Sequence, residues 1–178
     1  HALTVSRYAE LRKEQAQRRA SGDSKLLGIG LASYVEMCGF GPYESAHVRV
    51  EPTGTVTVTT GISPHGQGGG TTFAQIAADE LGVDYDNVQV KWGDTASTPM
   101  GNGTMGSRSI VVGGSSLVRA SKVVREKAIR IAAHMLEADA ADVVLQDGKY
   151  QVKGVPSKGL RLGEIADRAY SDNLPDDI

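Results

Sequence analysis

Between Ser107 and Glu137 the chain carries its strongest periodicity. Ile110, Leu117, Val124 and Ile131 repeat at helical spacing, with Val118, Ala128 and Met135 beside them. That pattern predicts one long helix over 107–137, buried along a single stripe. Gly113 and Gly114 fall inside it, where each costs about 1 kcal/mol relative to alanine, so a neighbour is expected to pack closely at that point.

The remaining elements are shorter. Residues 5–20, "VSRYAELRKEQAQRRA", are rich in helix formers and mostly polar, and predict a surface helix stopped by Gly22. Residues 26–37, "LLGIGLASYVEM", predict a strand. Alternation at His47-Val48-Arg49-Val50 and Val56-Thr57-Val58-Thr59, with "EPTG" between, predicts a hairpin with one face buried. Residues 71–82 gather Phe73, Ile76, Ala77 and Leu81 on one side of a helix that ends at Gly82. A strand over 86–95 runs through Val88, Val90 and Trp92. "ADVVLQDGKYQVKG" predicts a second hairpin, turned at Asp147-Gly148, and "RLGEIADRAYSD" a short final helix.

The order is α-β-ββ-α-β-α-ββ-α. Strands do not alternate regularly with crossover helices, so the expected class is α+β with a mixed sheet and packed helices. The expected organisation is a single domain over 1–178, with a surface helix at 1–22, an α+β core at 23–170 and a frayed tail at 171–178. The sequence opens at His1 within a charged helical pattern, and reads as a piece of a larger parent.

Composition removes several classes. A net charge of −2 gives no electrostatic case for nucleic acid or an anionic membrane surface. The few aromatic residues form no aromatic and basic stripe of the kind single-strand binders use. The only cysteine, Cys38, excludes an internal disulfide framework and suits a reducing, cytoplasmic compartment. No apolar run approaches the roughly 18 residues of a membrane span, and no signal peptide is visible.

Two loops of small residues stand out, each running off an expected strand to a helix start. The first turn of a helix has unpaired N–H donors and a partial positive charge, which favour anions. Loop A, "HGQGGGTT" (65–72), offers Gly66, Gly68, Gly69 and Gly70 for close backbone approach, with Gln67, Thr71 and Thr72 as polar side chains. Loop B, "GNGTMGSRS" (101–109), offers Gly103 and Gly106, the hydroxyls of Thr104, Ser107 and Ser109, and the fork of Arg108. That fork suits a bidentate grip on phosphate. Two such loops in one small chain point to an extended, phosphate-bearing ligand. Neither loop fits a standard nucleotide motif: loop A lacks the lysine of GxxxxGK[ST], and "GQGGG" is out of register with GxGxxG.

The other chemical side chains carry less. His65 has no orienting acid or nucleophile in a recognisable motif, so it is read as a surface or ligand-edge residue rather than a base. His47 and His134 are read as structural and Cys38 as a packed small hydrophobe. Asp79, Glu80 and the "VREKAIR" run at 124–130 are read as solvated helix faces. The histidines and Cys38 show no metal-ligand spacing, so no metal-binding residue is assigned.

At these loops the chain resembles a known family. "GIGLASYVEMCGFGPYESAHVRVEPTGTVTVTTGISPHGQGGGTTFAQIAADELGV", followed by "GDTASTPMGNGTMGSRS", is similar to the molybdenum-binding large subunit of the xanthine dehydrogenase, aldehyde oxidase and carbon monoxide dehydrogenase family, over about residues 5–170. The resemblance implies a molybdenum hydroxylase that oxidises CO, an aldehyde or an N-heterocycle with water-derived oxygen. It implies molybdopterin cytosine dinucleotide with molybdenum as cofactor. It further implies iron–sulfur and FAD-binding subunits or domains as partners, and a small-molecule substrate.

Loop A matches the family's "QGQGHET" segment, which implies that Gly66, Gln67, Gly68, Thr71 and Thr72 contact the cofactor. Loop B matches "GTYGSRS", which implies the same for Thr104, Gly106, Ser107, Arg108 and Ser109. There are departures. His65 stands where glutamine is common, and Gly69-Gly70 replace "HE". The family's substrate-side loop and its catalytic glutamate, in a GxGE-type motif, have no counterpart in this segment: Cys38 is out of the matching context, and Glu164 follows "LG" without the motif. No catalytic residue is therefore assigned to this chain, and the expected role is cofactor binding without activity of its own. The alternative is a noncatalytic interaction module built on the same fold.

Overall fold

The long apolar stripe forms its helix, with a different beginning. The structure, a computed structural model, describes residues 1–171, 174, 175 and 178. Part of the tail expected over 171–178 lies outside the described residues. By its contacts the chain divides into two compact units, His1–Val35 and Glu36–Ile178.

In the first unit the helix expected over 5–20 is two helices, α1 (Ala2–Val5) and α2 (Tyr8–Ala20). Arg7 interrupts them with a left-handed backbone, φ 54°. The stop at Gly22 holds. The Gly22 and Asp23 amides donate back to the Arg19 and Arg18 carbonyls, a Schellman ending that uses the positive φ of Gly22. The strand expected over 26–37 is absent. Its alternation is real, but a strand needs a neighbour for its N–H and C=O groups. No described segment pairs with it, and Leu26, Leu31, Tyr34 and Val35 are exposed.

Among its described residues the second unit holds two sheets. β1 (Ala46–Val50) and β2 (Val56–Thr60) form the expected antiparallel hairpin. α3 (Gly69–Leu81) then crosses to β3 (Val88–Lys91), which lies parallel to β2, so β2 is central and the sheet mixed. β3 is shorter than the strand expected over 86–95, and Trp92 lies just beyond it. Val56, Val58 and Thr60 alternate inward from β2 and are fully buried. The α3 helix packs on β3 and on α4 (Ser115–Leu136), and α4 packs on β1.

A π-helical turn over Ser109–Gly114 precedes α4. This corrects the expected start. A π turn takes more residues per turn than an α turn, which rotates Ile110 out of the apolar stripe and leaves it half exposed. Leu117, Ala128 and Ile131 stay on the stripe, and meet Phe73, Ala77 and Leu81 of α3 in one core.

The second sheet is antiparallel, with β4 (Val143–Gln146), β5 (Lys149–Val152) and β6 (Gly159–Leu160). Asp147 and Gly148 both take positive φ at the β4–β5 turn, as a two-residue hairpin of this twist requires. Finally α5 (Leu162–Ala169) buries Leu162, Ile165 and Ala166. Glu164 closes its first turn by accepting the Arg161 N–H at 2.8 Å. The fold is α+β, as expected.

Candidate functional site

Loop A joins β2 to α3, and its last glycines are already helix. α3 begins at Gly69, two residues before the expected Thr71. Gly66 and Gly68 take φ of 110° and 80°, and a Cβ at either would meet nothing within 4 Å. Their glycines thus serve backbone conformation and leave open space above the loop. No side chain caps α3, so its first-turn amides and positive dipole end face that space. Gln67 curls back to accept the His65 N–H at 2.8 Å, and the Thr72 hydroxyl donates to the Gly68 carbonyl at 3.1 Å. Thr71 is exposed.

Loop B runs from β3 to the π turn. Asp94 folds its first turn, accepting from the Ala96 N–H and the Ser97 hydroxyl. These two bonds, the Ser97 one foremost, hold its carboxyl below the usual carboxylate range. Gly103, Gly106 and Ser107 have positive φ, and for Ser107 that is an uncommon, mildly strained state. The carbonyls of Gly106 and Ser107 accept from the Phe40 and Gly39 amides. The Ser107 hydroxyl donates to Glu36 at 3.0 Å, and the hydroxyls of Ser109 and Thr104 share a 3.2 Å bond.

Arg108 points inward, and this corrects the expected free phosphate fork. Its side chain is fully buried. Nε donates to the Phe40 carbonyl, Nη2 to the Tyr43 carbonyl, and Nη1 to the Gly103 carbonyl and the Glu44 carboxylate. In this arrangement the Arg108 guanidinium shapes loop B and is shielded from solvent.

The two loops meet at a groove of about 740 Å³. It brings Gln67 and Thr72 from loop A together with Thr104, Gly106, Ser107, Arg108 and Ser109 from loop B. Gly66, Gly68 and Thr71 instead line a second groove of about 430 Å³ on the other side of loop A, walled by Trp92 and Tyr85. Gly69 borders both.

Other residues at the site escaped the sequence reading. Glu36 and Cys38 line the larger groove, so Cys38 is exposed there rather than packed as expected. His65 is an exposed groove-edge residue. Glu44, buried against Arg108, carried no local signal at all. Arg108 is the only Lys or Arg among the residues lining the larger groove. The groove therefore offers amides, hydroxyls, the His65 imidazole and one carboxylate beside apolar walls from Phe73, Met105, Ile110 and Val111, which suits a large ligand with polar edges and an apolar face. Among the described residues, no helix is long and apolar enough to cross a membrane.

Comparison with known proteins gives this groove a context. The family model described as molybdopterin cofactor-binding domain matches residues 1–176. The carbon monoxide dehydrogenase large chain of Hydrogenophaga pseudoflava is 41% identical over 175 residues, covering 92% of this chain and 22% of that one. Among solved structures, reconstituted CO dehydrogenase from Oligotropha carboxidovorans superposes with a TM-score of 0.76 at 34% identity, over 98% of this chain and 24% of that one. Quinoline 2-oxidoreductase from Pseudomonas putida 86 does so at 0.73 and 38% identity, with the same coverage. The chain thus spans less than a quarter of the length of these relatives.

Proposed function

The chain belongs to the molybdopterin cofactor-binding domain family, and from that membership we propose that loops A and B form the cradle of a molybdopterin cytosine dinucleotide. One observation carries the reading: two glycine-rich loops from different strands, each at the start of a helix, meet at the larger groove, and Gly69 of loop A joins it to the second groove beside Gly66 and Gly68. The residues present fit such a group. The open space over Gly66 and Gly68 admits phosphate oxygens to the uncapped α3 amides. Glu36, accepting from Ser107 at the other side of the groove, disfavours phosphate there and suits the N–H donors of a pterin.

When bound, the molybdenum–pterin group supplies the redox chemistry. This chain's part is to hold and orient it. Gln67, Thr72, Thr104, Ser107 and Ser109 supply directional hydrogen bonds. Gly66, Gly68, Gly106 and Thr71 supply backbone access and a polar rim. Arg108 holds loop B in shape from behind.

The whole protein, on this reading, is a molybdenum-dependent hydroxylase acting on CO, an aldehyde or an N-heterocycle. Iron–sulfur and FAD-binding subunits or domains carry the electrons away. The range of substrates in the names of its relatives supports that breadth. A noncatalytic interaction module is not favoured, since the relatives are named as chains of oxidoreductases.

The test replaces Gln67 and Ser107 together with alanine in the full-length protein. Molybdenum per subunit and the CMP released on hydrolysis are expected to fall together. Unchanged metal and unchanged CMP would sink the proposal.

A further inference from the structure

The stems of the two loops touch. Gly61 follows β2 and leads into loop A, while Gly101 opens loop B. A Cβ on Gly61 would lie 2.6 Å from the Cα of Gly101, and one on Gly101 would lie 2.7 Å from the Cα of Gly61. Neither glycine has a positive φ, so close approach rather than an unusual backbone requires them.

The Glu44 carboxylate lies over this crossing, fully buried. Oε1 pairs with Arg108 and accepts the Asn102 N–H at 2.8 Å. Among the described residues Oε2 has no hydrogen-bond partner, and it lies 2.8 Å from where a Gly61 Cβ would stand. It also occupies the space that a Gly101 Cβ would need. A buried carboxylate oxygen left unpaired is costly, and such a cost persists only where the surroundings enforce it. Here the enforcement is visible. The Glu44 carbonyl accepts from the Ser116 hydroxyl of α4 at 2.7 Å, and the Ser45 carbonyl accepts from the Gly61 N–H at 3.1 Å. Glu44 is thus hydrogen-bonded to α4 and to loop B and packs on the stem of loop A, to which its neighbour Ser45 is bonded.

Resting on the cofactor reading above, we infer that Glu44, seated on the Gly61–Gly101 crossing, is a positioning residue that sets the separation of the two cofactor loops. A change at the crossing moves both loops. Were Glu44 only the counter-charge of Arg108, loop B alone would respond.

The test uses the full-length protein as wild type, Gly101→Ala and Glu44→Gln. Pterin content is measured as isolated, and amide hydrogen exchange of the cofactor-free form is read over 63–72 and 101–109. Both variants are expected to speed exchange in both loops by about tenfold or more, as a shared local opening would. Pterin content is expected to fall to about half or less, since loosened positioning weakens a multi-point site. In wild type, low denaturant should open both loops with one common dependence.

Faster exchange confined to 101–109, or wild-type loops that open independently, overturns the inference. So does wild-type pterin content in variants whose loops both exchange faster. If neither variant folds, the wild-type exchange decides alone. Failure of the cofactor reading looks different: the wild-type protein would hold no pterin, or keep it after the Gln67 and Ser107 substitutions, while the loops still opened together. That result upholds the coupling and removes its cofactor.

Discussion

Gly113 lies directly against Ile62: a Cβ at Gly113 would come 2.5 Å from Ile62 Cγ1, and 3.1 Å from Phe73 Cζ. Ile62 belongs to the stem of loop A and Gly113 to the π turn fed by loop B, so this contact spaces the two helix starts. Gly113→Ala gains about 1 kcal/mol of helix propensity but overpacks a buried site, at about 1–3 kcal/mol. A net loss of up to about 2 kcal/mol is expected in equilibrium denaturation. A midpoint that rises would mean that Ile62 moves aside.

Arg108 and Glu44 form a buried ion pair whose removal from one side leaves a charge unpaired. Arg108→Met is expected to cost about 3–5 kcal/mol. Arg108→Lys keeps the charge but not the fork that reaches the Phe40 and Tyr43 carbonyls, so its cost should be intermediate. In a double-mutant cycle with Glu44→Gln, the pair should lose less than the sum of the singles. Additive losses would show that the two side chains act independently.

What the sequence made legible follows from the range of the interactions. The turn at Asp147-Gly148, the stop at Gly82 and the hairpin over 46–60 are set by neighbours in sequence, and each appears where the pattern put it. The strand over 26–37 failed because alternation cannot show whether a partner strand arrives. Ile110 failed because one π turn shifts the phase of everything before it. The direction of Arg108 was illegible for a similar reason: its acceptors at Phe40, Tyr43 and Glu44 lie 64 to 68 positions away. Both loops were legible as glycine-rich turns leading to helix starts. Their division between two grooves was not, since it depends on where Trp92 packs against loop A.

Tyr150 predicts a pH dependence. Its phenol is buried and donates to the Leu81 carbonyl at 3.1 Å, and burial pushes its pKa up to about 12, with Arg125 pulling the other way. The fold favours the neutral phenol, so this stability is fully present below the usual value near 10. It is lost as pH rises from about 10 to about 12, at about 1.4 kcal/mol per pH unit. Tyr150→Phe should cost about 1–2 kcal/mol at neutral pH by leaving the Leu81 carbonyl unpaired. It should also lack the alkaline loss, so the gap between wild type and variant narrows as pH rises. A gap that stays constant between about pH 8 and pH 11.5 would exclude the phenol as the group responsible.

Trp92 supplies a direct optical test of the second groove. It is the only tryptophan in this chain, 39% exposed, and it walls the groove formed by Gly66, Gly68 and Thr71. Its ring carbons lie 3.1 Å from where a Cβ on Gly70 would stand, at the first turn of α3. An anion drawn to the uncapped α3 amides therefore arrives beside the indole and changes its emission. With cofactor-free protein, cytidine diphosphate is expected to give a saturable change that inorganic pyrophosphate competes away. The apparent affinity should weaken as salt rises, because the attraction to a helix start is screened. Gly70→Ala should shift the emission without any ligand, by displacing the ring, and should weaken the response to cytidine diphosphate. Emission indifferent to both anions in the wild type would assign the phosphates to the larger groove instead, beside Gln67 and Thr72.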